Sequence, residues 1–329
     1  MLQTNLILLG VVLFCSACFA GEPSYHTARS EYLAGHYDQA YKIVSQLALV
    51  KSEVQARRMQ AGLLFAGKGT ERDIPRALEL WEALANEGDT KSQSTLGGLF
   101  LDGAQVGGTD YPKALRYINL AADAGDAIAL YNKGFIYQSG LGVERSVKQA
   151  KTYYMQAAEK GYGSAYLQLA GLADDLNGSI NKVSACHYYE KAAQGGVPQG
   201  EFLYGKCLVT GDGGIKDMTG AEKWYLAAAK MGLPIAQANL GYLYEKGEGV
   251  PLDHVAAYKW YWLASADVPS ARKRMEALQQ RDPQAVNGVT DLIKEGWRNE
   301  IRTHIRKPLT HEARSSQICK FWMGRSPVI

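Results

Sequence analysis

A two-residue signature recurs along this chain at an almost constant interval. Trp260-Tyr261, Trp224-Tyr225, Tyr188-Tyr189 and Tyr153-Tyr154 are its clear copies, and Arg116-Tyr117 and Leu80-Trp81 its looser ones. The second members stand at positions 81, 117, 154, 189, 225 and 261, spacings of 36, 37, 35, 36 and 36. Self-similarity at such a period marks a repeat architecture, in which each unit buries its apolar face only by stacking on its neighbours. The 35 glycines fit the same reading, since they recur at intervals and do not gather into a linker.

Each aromatic pair sits in a longer pattern. One copy runs from Ala236 as AQANLGYLYEKGEGVPLDHVAAYKWYWLASA, another from Ala129 as ALYNKGFIYQSGLGVERSVKQAKTYYMQAAEKG, and a third begins at Glu201. Their common skeleton is a Gly, usually an aromatic three residues on, a Gly-x-Gly, an Ala, the aromatic pair and then small residues; the third copy has Leu208 in place of the first aromatic. Apolar residues fall at helical spacing on both sides of the Gly-x-Gly. Leu240, Leu243 and Tyr244 share one face, and Ala257, Trp260, Tyr261 and Ala264 another. The Gly-rich stretch between them stops a helix, because glycine takes φ > 0 without steric cost. Each unit is therefore predicted as helix, loop, helix. Gly134, Gly205 and Gly241 fall at one position of the first helix, and Ala121-Ala122, Ala157-Ala158, Ala192-Ala193 and Ala227-Ala228 at one position of the second. Small residues there let paired helices approach closely, with the aromatics filling the groove between neighbours.

This pattern resembles the Sel1-like repeat family, relatives of the tetratricopeptide repeat. The resemblance covers residues 53–267 in six copies, most closely at Gly247-Glu248-Gly249-Val250 and Ala256 to Ala266. It implies an all-α protein, a right-handed α/α solenoid of helix-loop-helix repeats. Two copies depart from the rule in their turns: the copy at 163–197 has Asp174-Asp175-Leu176-Asn177-Gly178, and the copy at 90–126 has Gly103-Ala104-Gln105-Val106-Gly107-Gly108.

Four regions follow. Residues 1–20 read as an export signal: Leu6 to Phe14 is an apolar run, small residues follow, and cleavage after Ala20 is expected. No Lys or Arg precedes that run, and Cys18 after Ser16-Ala17 offers a lipidation site as the alternative end of the signal. The chain is thus expected in the periplasm or secreted space, free or as an anchored lipoprotein. Residues 21–52, centred on YLAGHYDQAYKIV, form an N-terminal capping pair of helices, and 53–267 hold the repeats. Residues 268–329 are a C-terminal cap and tail. There Ser270 to Gln280 reads as a helix, a break is expected from Asp282-Pro283 to Gly288, and Thr290 is placed to cap a further helix. Ile293, Trp297, Ile301 and Ile305 form an apolar stripe on that last helix, beside Lys294, Arg298, Arg302 and Arg306. The basic stripe either faces water or meets an anionic surface, the one route besides a lipid by which this chain would touch a membrane.

Motifs that would carry chemistry are few. Gly62 to Lys68 fits G-x-x-x-x-G-K, but Gly69 follows where a phosphate-binding loop needs Ser or Thr, and Gly67-Lys68-Gly69 aligns with the repeat turn Gly247-Glu248-Gly249. The six histidines make no H-x-x-x-H pair, so no metal site is predicted, and no cofactor motif or nucleophile motif is present. A formal net charge of +3 does not suggest a nucleic-acid partner. Cys186 and Cys207 lie in neighbouring helices of adjacent repeats, where two readings stand, a disulfide or a pair of small buried residues. The resemblance implies a binding protein and not an enzyme: exported bacterial members assemble or regulate envelope machinery or meet host cells. Its partner is then a protein or a cell-wall component held on the concave face of the solenoid. Peptidoglycan or β-lactam binding or modification is the rival reading. Asn132 and Asn239, two residues before the aligned glycine, match the first-helix amides that clamp peptide backbone in tetratricopeptide arrays. Tyr131 and Tyr244 are the aromatic candidates for the same face.

Overall fold

The computed structural model describes residues 24–50, 53–173 and 181–292. Within them every regular element is an α-helix. None of these helices is long and apolar enough to cross a membrane. The chain divides into two compact units, residues 1–99 and 100–329.

The first unit holds α1 (Tyr25–Ala34), α2 (Tyr37–Leu47), α3 (Val54–Ala66), α4 (Ile74–Asn86) and most of α5 (Thr90–Asp102). Its core gathers Ala28, Ala40, Val44, Ala56 and Leu63, with Tyr25, Tyr37 and Tyr41 packed at the edge. Two bidentate ion pairs fasten α3 to the turn after α4. Arg57 donates to both Glu87 oxygens at 2.6 and 3.0 Å, and Arg58 to both Asp89 oxygens at 3.0 and 2.6 Å. Burial would raise the Asp89 pKa, but hydrogen bonds from Arg58 and Ser92 hold it below the ordinary carboxylate value.

The second unit runs on as α6 (Tyr111–Asp123), α7 (Ala127–Ser139), α8 (Val147–Glu159), α9 (Ser164–Ala173), α10 (Lys182–Gln194), α11 (Pro198–Thr210), α12 (Met218–Lys230), α13 (Pro234–Lys246), α14 (His254–Ala264), α15 (Pro269–Arg281) and α16 (Pro283–Leu292). Consecutive helices pack on one another, and α16 also returns onto α14. The starts are set by short polar side chains. Asp110, Asp126, Ser146, Asn181, Asp217 and Asp253 each accept a hydrogen bond from the backbone N–H three residues on, satisfying a donor the helix leaves unpaired. First helices stop where glycine goes left-handed, as at Gly247 with φ 68°.

The first-helix glycines serve packing. A Cβ added at Gly134 would stand 2.7 Å from the Tyr154 ring, one at Gly205 2.8 Å from the Tyr225 ring, and one at Gly241 2.8 Å from the Tyr261 ring. Each ring is the second member of a recurring aromatic pair, fills the socket its glycine leaves, and is at most 3% exposed. In the copy at 163–197 the pattern slackens, and Tyr189 is only half-buried. The second glycine of the turn has a separate task. A Cβ on Gly249 would meet the Met218 carbonyl oxygen at 2.5 Å, and one on Gly142 would meet Tyr111 Cβ at 3.0 Å. Met218 and Tyr111 begin α12 and α6, so each turn is pressed onto the start of the preceding repeat's second helix. Gly69 meets Tyr37, the first residue of α2, in the same way in the first unit.

The C-terminal expectation needs correction. Asp282 alone interrupts the helices, and α16 continues through Gly288 and Thr290, so no helix begins at Thr290. Val286 and Val289 are buried against α14 and α15, and this burial outweighs the helix cost of one glycine. The signal region with Cys18, the turn at Asp174 to Gly178, and Lys294, Arg298, Arg302 and Arg306 lie outside the described residues.

Candidate functional site

Asn132 on α7 and Asn239 on α13 hold equivalent places and are both half-buried. The Asn239 amide donates to the Ile235 carbonyl of its own helix at 2.8 Å, which leaves its oxygen to accept from a ligand. Four residues before and three after an amide lie on its own helical face. Around Asn132 these are Ile128, half-buried, and Phe135, 39% exposed; around Asn239 they are Ile235, 39% exposed, and Tyr242, half-buried. The same apolar–amide–aromatic triad thus stands on two first helices of the second unit. On α9 the equivalent of the amide is Gln168, whose Nε2 donates to the Tyr131 hydroxyl at 3.2 Å; on α11 it is Leu203. The sequence reading missed Ile128, Phe135, Ile235 and Tyr242, although the spacing from each asparagine would have found them.

The aromatic candidates behave differently. Tyr131 is a correction: it is 6% exposed, wedged between Tyr154 and Tyr162 at ring separations of 5.4 and 5.0 Å, and belongs to the core. Gly134, one turn on, faces the Tyr154 ring, and the same register carries Tyr131 onto that ring. Tyr244 is half-buried and its hydroxyl reaches Glu222 at 3.4 Å, a strut from α13 to α12. Burial, and then the Glu222 charge, raise its pKa.

Two further features flank this face. Cys186 on α10 and Cys207 on α11 are joined as a disulfide, with Cα atoms 6.0 Å apart. Beyond α13, Glu245 is buried and accepts from the Tyr261 hydroxyl at 2.7 Å and from Arg274 at 3.2 Å. Burial opposes its charge, but those two hydrogen bonds hold its pKa below the ordinary value. The Arg274 guanidinium also lies 4.9 Å from the centre of the Tyr242 ring, a cation–π contact that fixes one aromatic of the triad. His254 Nδ1 stands 2.8 Å from an Asp282 carboxylate oxygen, and its Nε2 faces Arg281 at 3.4 Å. Among the described residues no group of His, Cys, Asp and Glu is arranged to hold a metal ion. The arrangement offers amides, aromatic rings and apolar edges, the chemistry of a peptide-binding surface.

Comparison with known proteins agrees with this architecture. The Sel1 repeat matches at residues 61–89, 91–126, 127–162, 163–197, 198–233 and 234–266. The human protein sel-1 homolog 2 is 27% identical over 190 residues, 54% of this chain and 27% of that protein. The rat DAP3-binding cell death enhancer 1 is 33% identical over 106 residues, 32% of this chain and 20% of that protein. The chain thus spans about a quarter of the length of the curated relatives it matches. Among solved structures, a Sel1 repeat protein from Oxalobacter formigenes superposes with a TM-score of 0.65 at 29% identity, over 78% of this chain and 76% of that one. A protective antigen of uropathogenic Escherichia coli strains shares the fold at a TM-score of 0.65 and 22% identity, over 93% of this chain and 65% of its own. Six matched repeats, helix pairs closed by glycine–tyrosine sockets and these structural neighbours lead to one conclusion: the chain belongs to the Sel1 repeat family.

Proposed function

We propose that this chain is a non-catalytic scaffold that binds a protein partner through the first-helix face of its second unit. Sel1 repeat proteins generally serve as protein–protein interaction scaffolds. The observation that carries the reading to this face is the repeated triad, Ile128–Asn132–Phe135 and Ile235–Asn239–Tyr242, with large apolar side chains left partly in water. Half-exposed aromatics beside amides are what a peptide backbone needs, since the amide supplies donor and acceptor and the rings supply apolar area. Relatives whose printed names record binding or assembly, the DAP3-binding cell death enhancer 1 and a component of an Arabidopsis thaliana ERAD-associated ubiquitin ligase, support the same class of role.

The test is affinity capture with the purified chain, wild type beside the double variants Asn132→Ala/Asn239→Ala and Phe135→Ala/Tyr242→Ala. A change at exposed Val183, on the second helix α10, serves as control. One defined protein should be retained by wild type and by the Val183 control, and lose about tenfold in affinity or more in each double variant, as when hot-spot residues are truncated. Equal capture by all four chains refutes this face.

We place this work in the envelope or secreted space of a bacterium. The apolar run Leu6 to Phe14 and the Cys186–Cys207 disulfide support it, since disulfides persist in oxidising compartments. Intact mass of the chain recovered from periplasm should show loss of residues 1–20, or of the residues before a lipidated Cys18. A full-length mass from the cytosol refutes the placement.

A further inference from the structure

One position, three residues past the residue that opens the first helix, is occupied by Gln93, Glu201 and Gln237 in three repeats. All three are buried, at 7%, 8% and 5% exposure. The glutamines share one task. Gln93 donates from Nε2 to the Ala85 carbonyl at 3.0 Å, and Gln237 does the same to Ala229 at 3.1 Å. These carbonyls lie in the last turn of the preceding second helix, and each also accepts from a backbone N–H, that of Gly88 or Gly232. The buried amide therefore fills the carbonyl's second lone pair and latches one repeat to the next. By register the matching carbonyl for Glu201 is that of Ala193, which already accepts from Gly196 N at 2.9 Å. A glutamate has a donor for it only when protonated. In agreement, Glu201 Oε2 is buried without a hydrogen-bond partner.

The joint around Glu201 is closely made. Gly200 stands where Ala165 and Ala236 stand in sister repeats, and a Cβ on it would fall 2.5 Å from Ala192 Cβ. The α10–α11 approach thus leaves little room for water to replace the missing bond. Neighbouring charges do not help. On α10, Lys182 is paired with Asp212, Glu190 meets Tyr204 and His187, and Lys191 is exposed. Glu222 on α12 accepts from Tyr244, while Lys223 and Lys230 on α12 and Lys206 on α11 form no ion pair with Glu201; Tyr166 is the titratable group of α9, and Tyr188, Tyr189 and Tyr225 complete those of α10 and α12. Burial alone pushes the Glu201 carboxyl up to about 7 from an ordinary 4.5.

We propose that Glu201 makes the α10–α11 joint a proton-dependent latch. Protonated, its carboxyl donates to the Ala193 carbonyl as glutamine does in the sister repeats. Ionised, it presents a bare charge to a carbonyl oxygen in a dry joint, and the joint loosens. The folded chain then holds a proton that the unfolded chain has released, so this contribution is complete below about pH 4.5 and is lost as pH rises through about 7. Acid tightens this joint and neutral solution slackens it, at the one joint of the array that also carries a disulfide among the described residues.

The test uses the full chain with its disulfide intact, as wild type, Glu201→Gln and Glu201→Met, melted from pH 4.5 to 8.5. Other carboxylates contribute equally to all three, so the difference between chains is the readout. Glu201→Gln should match wild type at pH 4.5 and exceed its Tm by roughly 5 °C above pH 7. Glu201→Met, with neither donor nor charge, should run parallel to Glu201→Gln and below it at every pH, yet above wild type at pH 8.5. Hydrogen exchange, corrected for its intrinsic pH dependence, should show the amides of 193–201 opening in wild type alone as pH rises. A Tm difference constant with pH overturns the latch. So does failure of Glu201→Gln to fold, because glutamine is what the sister repeats use. Equality of the Met and Gln variants removes the donated bond.

Discussion

Replacing Tyr261 by Ala is expected to destabilise the second unit by about 4 kcal/mol, the cost of deleting a large buried ring. The ring is fully buried in the socket of Gly241, and its hydroxyl donates to buried Glu245. Truncation leaves a cavity between α13 and α14 and takes from Glu245 its hydroxyl donor, leaving it to the cations of Arg274, Lys246 and Arg281. Tyr261→Phe separates the two contributions, since it keeps the ring and removes the bond, and should cost about 1 kcal/mol. The socket makes a converse prediction. Gly→Ala in a helix normally gains up to about 1 kcal/mol. At Gly241 the added Cβ meets a ring held on all sides, and overpacking of that kind costs about 1–3 kcal/mol. Gly241→Ala should therefore lower the urea midpoint, and Gly241→Val should lower it further. A Gly241→Ala chain more stable than wild type would show that the glycine serves no packing role.

Removal of the Cys186–Cys207 disulfide is the second large effect. The bond closes a loop with a sequence separation of 21, and the chain-entropy treatment assigns such a loop about 3 kcal/mol. Cys186→Ser/Cys207→Ser should lose that stability, and reductant should bring wild type down to the level of the double variant while leaving the variant unchanged. Wild type insensitive to reductant would show that the bond contributes nothing. The loss should be concentrated in α10 and α11, because Gly213 of the following turn packs directly on Cys186. In a repeat array, stability is largely a sum over neighbours, so a broken joint is felt locally first.

The regular part of this fold was legible in the sequence. Aromatic pairs at 35 to 37 residue spacing placed the second helices, and the rings at 154, 225 and 261 are buried where the pattern put them. Glycines at 134, 205 and 241 announced close helix approach, and the ring distances show what approaches. What escaped is whatever depends on one residue's own surroundings. Tyr131 and Asn132 are chain neighbours, yet one turns into the core and the other to the surface, and periodicity alone does not rank them. Glu201 enters the sequence pattern only as the start of one copy; its register with Gln93 and Gln237 shows that it occupies a donor's place. At the C-terminus, Asp282-Pro283 signalled a break correctly, but Gly288 was given too much weight against the apolar contacts of Val286 and Val289. Of the candidate site, the two asparagines were readable, while their companions on the helix face were obscured by the stronger signal of the core aromatics.

The second glycine of each turn has a further consequence. Because Gly142 rests on the start of α6 and Gly249 on the start of α12, these second helices are completed by residues that come later in the chain. The array is therefore polar in time as well as in space. During synthesis from the N-terminus, the newest second helix in these repeats has its opening turn bare until the next loop emerges to cover it. In these copies the successor seals the earlier helix, and a chain halted before its turn emerges carries that unfinished edge at the point of growth.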